Sequence, residues 1–102
     1  MVHATIRLDL SPEKASEALE VIHSVAERTR VEPGCISCRI YHEVQHDYSI
    51  LIEELWRSQD ELDRHLRSSD FRSVLLAVEM AKGRPEIQFN VISHSSGMET
   101  IE

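Results

Sequence analysis

The sequence predicts an α+β domain in the order β-α-β-β-α-β, with one antiparallel sheet carrying its helices on one face. Three observations carry this reading. Four stretches alternate apolar and polar residues, two longer stretches repeat apolar residues at three- and four-residue spacing, and turn or capping residues separate them.

The first strand is "VHATIRLDL". Ala4, Ile6, Leu8 and Leu10 share one face, and His3, Thr5, Arg7 and Asp9 share the other. "SPEK" then opens a helix: Ser11 can cap it, Pro12 suits its first turn and Glu13 complements its positive end. Ala15, Ala18, Leu19, Ile22, Val25 and Ala26 form its apolar side, and "EPG" at 32 to 34 stops it. Residues 35 to 44 read as the second strand, with Ile36, Cys38, Ile40 and Val44 on one face. After the turn "QHD", residues 48 to 56 form the third strand. "SQDE" is a capping box, Ser58 with Glu61, that opens a second helix through Leu62, His65 and Leu66. "RSSD" breaks that helix, and Ser69 or Asp70 caps a new segment carrying Phe71, Val74, Leu75 and Val78. Gly83 and Pro85 end it, and "EIQFNVISH" is the fourth strand. The result is a ferredoxin-like domain over residues 1–95, with a tail at 96–102 that is expected to fray.

The third strand is apolar on both sides: Tyr48, Ile50, Ile52 and Trp56 alternate with Leu51 and Leu55. The fourth offers Phe89 and Val91 on one side and Ile92 on the other. A sheet face left to water should read polar, so a second copy of the chain is expected to cover it, giving a homodimer through the sheet face.

Composition excludes several classes. Eleven Lys and Arg against eighteen Asp and Glu give a net charge of -7, which repels a phosphate backbone, so no nucleic-acid partner is expected. No apolar run approaches the ~20 residues of a membrane span, and the first residues lack the regions of a signal peptide. A cytoplasmic protein with reduced thiols is expected.

"CISCRIYHEVQHD" holds both cysteines in C-x-x-C spacing, with His42 and His46 beyond. In a regular strand rising ~3.3 Å per residue, Cys35 and Cys38 would lie ~10 Å apart on opposite faces, too far for a disulfide. A redox pair of this spacing usually sits at a helix N-terminus, and compact zinc sites need a longer loop between ligand pairs. The stretch is expected to be structural, with no metal.

"EPGCISCRIY", "ILIEELW" and "DELDRHLRSSDF" follow one another in an order that resembles the antibiotic biosynthesis monooxygenase family, of the dimeric α+β barrel superfamily. The resemblance covers residues 2 to about 93 and is most specific at Glu54, Trp56, His65, Leu66 and Phe71. Cys38 departs from it, standing where many members have Tyr. The resemblance implies a dimer whose sheets pack into a barrel, with a pocket between sheet and helices in each subunit. Some members oxidise phenols or hydroquinones to quinones with oxygen and neither metal nor flavin; others degrade haem, and one relative processes a phosphorylated signal. Haem-degrading members use an Asn, a His and a Trp where alignment places Ile6, Leu75 and His65, so the iron ligand is missing here. No Gly-rich loop offers a phosphate site.

These implications single out His65 and Glu54 as catalytic residues and Trp56, Ile6, Phe71, Leu75 and Ile52 as substrate-binding residues, with no metal and no cofactor. A histidine suits proton removal from a phenol, and apolar surroundings would lower its pKa further. The competing reading makes His65 a core histidine satisfied by one hydrogen bond. Glu54 is costly to bury alone and pairs either with His65 or with Arg7 or Arg39 on a neighbouring strand. Trp56 is read as packing or as a ligand wall. Two functions follow: a cofactor-independent monooxygenase making quinones, or a non-catalytic small-molecule-binding or accessory dimer of the same fold.

Overall fold

The structure is a computed structural model and describes residues 1–97. Its elements run β1 (Val2–Asp9), α1 (Ala15–Thr29), β2 (Cys35–His42), β3 (Ser49–Trp56), α2 (Gln59–Leu66), α3 (Ser69–Glu79) and β4 (Glu86–Val91). The four strands form one antiparallel sheet in the order β2-β3-β1-β4, the arrangement of an α+β ferredoxin-like fold. Most of the tail expected to fray, residues 98–102, lies outside the described residues.

Alternation decides which side chains meet the helices. Val2, Ala4, Ile6 and Leu8 of β1 and Ile50, Ile52, Glu54 and Trp56 of β3 are buried on the helix side. Leu8, Ile22, Trp56 and Leu62 are fully buried, and each such side chain removes enough apolar surface to contribute ~1.5–3 kcal/mol or more. Two core clusters result. The larger joins Ile6, Ile52, Ile22 and Val74; the smaller joins Val2, Ala4, Trp56 and Leu62 under α2.

Three sequence expectations shift. Helix α1 starts at Ala15 rather than after Ser11, because residues 12 to 14 form a turn held by Lys14 N–H donating to the Ser11 carbonyl at 3.0 Å. The cap of α3 is Ser68, one residue before the expected Ser69, and its Oγ accepts the Phe71 N–H. Strand β2 is bulged between Cys35 and Ser37, so two residues there oppose one on β3. Cys35 then faces Trp56 and Cys38 faces Glu54, which puts both cysteines on the helix side. Ile36 is displaced outward and exposed, and does not share the face of Cys38 and Ile40.

The sheet's other face is mixed. Tyr41, Leu51 and Leu55 lie on it, but so do the His3–Glu53 pair at 3.0 Å and Arg7 beside Glu86. Phe89 and Val91 are not there. The register pairs Ile87 with Ile6, Phe89 with Ala4 and Val91 with Val2, so their side chains share the helix side. They are exposed because the helices pack over β1, β3 and β2 and leave β4 uncovered. Among the described residues, no helix is long and apolar enough to cross a membrane.

Candidate active site

The site starts at the capping box. Ser58 Oγ accepts the Glu61 N–H at 3.3 Å and donates to the Glu61 carboxylate at 3.0 Å, which begins α2 directly after β3. Starting there, the helix turns Leu62 and His65 inward together, three residues apart. His65 is 2% exposed. Its ring lies 4.8 Å from the Trp56 ring, tilted by 32°, and 5.8 Å from the Phe71 ring, which meets it edge-on.

Two carboxylates address the imidazole from different elements. Glu32, on the loop between α1 and β2, lies 2.6 Å from Nδ1 through Oε2, a short charge-assisted contact. Glu54 of β3 approaches Nε2 with Oε2 at 3.6 Å, beyond hydrogen-bond length, and among the described residues Nε2 has no other partner. The other Glu54 oxygen accepts the Trp56 indole N–H at 2.9 Å. Pairing of Glu54 with Arg7 or Arg39 is ruled out by strand parity. Those arginines lie on the opposite face, where Glu53 is the residue across from Arg39.

Burial pushes the His65 pKa down, but Glu54 and then Glu32 outweigh it, and the net shift is upward from 6.5. This reverses the expectation of a lowered value. The surroundings are apolar in Trp56 and Phe71 but carry two anions, and the cation is favoured by their sum. The thiols move the same way for a different reason. Burial first, then the Glu54 charge, pushes Cys35 up to about 11 and Cys38 up to about 12, so both remain protonated and poorly nucleophilic. Among the described residues, no three His, Cys, Asp or Glu side chains converge where a metal ion could be held.

Of the residues singled out in the sequence, His65, Glu54, Trp56 and Phe71 come together. Ile6 and Ile52 face each other across β1 and β3 but belong to the larger core cluster. Leu75 is 41% exposed and is no part of the buried cluster around the imidazole. In the sequence Glu32 belongs to the helix stop "EPG", and its approach to His65, 33 positions away, has no periodic signal there. Two cavities lie elsewhere. One of about 710 Å³ sits where β1 ends and β3 begins, among Arg7, Asp9, Tyr48 and Lys82. The other, about 180 Å³, lies near Arg7, Tyr41 and Leu51. The imidazole itself is closed over.

Comparison with known proteins follows the same lines. A 64-residue stretch is 34% identical to an uncharacterized protein of Synechocystis sp., covering 63% of this chain but only 44% of that protein. The chain thus spans less than half the length of this relative. A conserved protein of Methanosarcina mazei Go1 superposes with a TM-score of 0.81 at 28% identity, over 87% of this chain and 89% of that one. A solved antibiotic biosynthesis monooxygenase superposes with a TM-score of 0.83 over 92% of this chain and 100% of its own; at 20% identity this likeness shows the fold alone. Residues 1–75 match the family description "Antibiotic biosynthesis monooxygenase" (ABM). With that match running from β1 into α3, and with the fold of such proteins, the chain belongs to the antibiotic biosynthesis monooxygenase family.

Proposed function

We propose that the protein is a homodimeric monooxygenase that oxidises a small phenol or hydroquinone to a quinone with molecular oxygen, without metal or flavin. One observation carries the reading. His65 is a buried imidazole whose Nδ1 is engaged by Glu32 while Nε2 has no hydrogen-bond partner among the described residues. That is the arrangement of a general base awaiting its proton donor.

In this reading His65 Nε2 takes the phenolic proton, and Glu54, 3.6 Å away, stabilises the imidazolium that forms. The phenolate is a far better electron donor than the phenol and passes one electron to oxygen. Recombination of the radical pair at the ring follows, shielded from water by Trp56 and Phe71. For a phenol with a free para position, one oxygen atom becomes the new ring carbonyl. The other leaves as water with the hydroxyl and ring hydrogens. For a hydroquinone, two electrons and two protons go to oxygen, which leaves as hydrogen peroxide, so this branch is an oxidase reaction with no oxygen atom added to the ring. The substrate enters from the uncovered β4 side, where Ala4 separates Glu54 from Phe89 in one cross-strand row. Tyr41, Leu51 and Leu55 form the centre of the dimer contact.

The test is oxygen uptake with a panel of phenols and hydroquinones, using ¹⁸O₂ to follow the label. Label in the quinone from a phenol, or peroxide from a hydroquinone, supports the reading when His65→Ala abolishes either. No uptake across the panel, with tight binding of the same compounds, would replace it with a non-catalytic binding module.

A further inference from the structure

The imidazole has two carboxylate neighbours, and they are not equivalent. Glu54 is already committed through one oxygen to Trp56 and stands off Nε2 at 3.6 Å. Glu32 is in full contact with Nδ1 at 2.6 Å. An ionised carboxylate only accepts hydrogen bonds, so at this contact Nδ1 carries the proton and the lone pair of the neutral ring lies on Nε2.

Glu32 is also unusually well anchored for a loop residue. Its own N–H donates to the Thr29 carbonyl at 3.0 Å, and its carbonyl accepts the Cys35 N–H at 3.1 Å. Two residues on, Gly34 turns the chain at φ 86° and its carbonyl accepts the Arg57 N–H at 2.8 Å. The Glu61 carboxylate packs directly over Gly34, where any β-carbon would collide with it. The loop carrying Glu32 is thereby fastened to the start of the helix carrying His65.

We infer that Glu32 is a positioning residue: its carboxylate holds His65 in the Nδ1–H tautomer, so that Nε2 is the atom that exchanges a proton with substrate. The inference rests on the phenol-oxidation reading for its catalytic sense, but its structural half stands apart from activity. The groups facing the imidazole are Glu32 from the loop and Glu54 from β3. The β2 thiols Cys35 and Cys38 interact with both carboxylates, yet stay uncharged. Removing the Glu32 charge should therefore move the imidazole in one direction only, toward an easier loss of its proton.

The experiment uses this whole chain with ¹⁵N-labelled histidine and the variants Glu32→Gln, Glu32→Asp and Glu32→Ala. Expected is an Nδ1–H signature for neutral His65 in the wild type. Glu32→Gln, which keeps an acceptor, should retain that tautomer while lowering the His65 pKa and moving the acid limb of the kcat profile to lower pH. Glu32→Ala should lose the tautomer preference and about 10²-fold in kcat, within what a general base contributes. Glu32→Asp should restore part of both. An Nε2–H signature in the wild type, or an unmoved His65 pKa in Glu32→Gln, would overturn the inference. If Glu32→Ala does not fold, the Gln and Asp variants decide the matter. A wild-type protein that shows the Nδ1–H tautomer but consumes no oxygen would overturn the phenol reading and the catalytic sense of the inference together.

Discussion

Ser68 closes the helix that carries His65: its hydroxyl donates to the His65 carbonyl at 2.6 Å. The same oxygen accepts the Phe71 N–H at 3.2 Å and so begins the next helix. One side chain thus ends α2 and caps α3, and fixes how the imidazole and the Phe71 ring meet. Ser68→Ala should cost ~1–2 kcal/mol, the loss of a cap plus one carbonyl partner. The shift in denaturant midpoint at constant slope measures it, and a change under about 0.5 kcal/mol would show that the hydroxyl carries neither role.

Gly34→Ala should be more damaging than its size suggests. At φ 86° an L side chain is strained, and its β-carbon would meet the Glu61 carboxylate. A loss of ~1–3 kcal/mol is expected. Adding Glu61→Ala should recover only the steric part. Full recovery in the double variant would mean that backbone strain contributes nothing.

The raised pKa of His65 makes stability depend on pH in a definite sense. A folded-state value above 6.5 means that the native protein holds the proton more tightly than the unfolded chain does. The stabilisation is complete below 6.5 and is lost as pH rises through the folded value. The stability gap between wild type and Glu32→Gln should therefore narrow as pH rises from 6.5 through the folded value. Equilibrium unfolding across that range gives the answer, and a widening gap would contradict the assignment.

With thiols held up at about 11 and 12, Cys35 and Cys38 should react slowly with alkylating reagents in the folded protein at mildly alkaline pH. Unfolding in denaturant should accelerate labelling by orders of magnitude, the smaller gain belonging to the less buried Cys35. Mass spectrometry of timed samples reads this directly. Rapid labelling of Cys38 in the native state would be inconsistent with its burial.

Dimerisation is tested at Leu55, which shares with Tyr41 and Leu51 the sheet face without helices. Wild type should sediment as a dimer at micromolar concentration. Leu55→Glu should shift it to a species near 11.7 kDa without altering the circular dichroism of the helices. A wild type that is monomeric at that concentration would contradict a sheet-face interface.

Much of this architecture was legible in the sequence, and the part that was not has a common cause. Alternation placed Glu54 and Trp56 on one face of β3 because a strand's parity is local, and the capping box located α2 for the same reason. The bulge at Ile36 escaped because it is a relation between β2 and β3, and no composition of β2 alone announces it. The exposed row on β4 escaped because parity says which side a residue faces, not how far the helices reach across the sheet. Glu32 escaped because its contact with His65 depends on how a loop and a helix dock. The rise of the His65 pKa has the same origin, since it needs the charges of Glu54 and then Glu32 set together against burial, and the apolar walls alone would shift the value the other way.

The bulge has an effect beyond bringing the two cysteines to one side. Strand β2 is an outer strand of the sheet, with only β3 beside it. A straight outer strand presents a row of unpaired amides and carbonyls that can template a strand from another molecule. The extra residue at Ile36 interrupts that row and bends it, and the exposed Arg39 further along adds a charge to the same margin. A strand arriving from outside would have to match a kinked ladder and crowd a guanidinium, so this margin of the sheet is poorly suited to growth by edge-to-edge pairing.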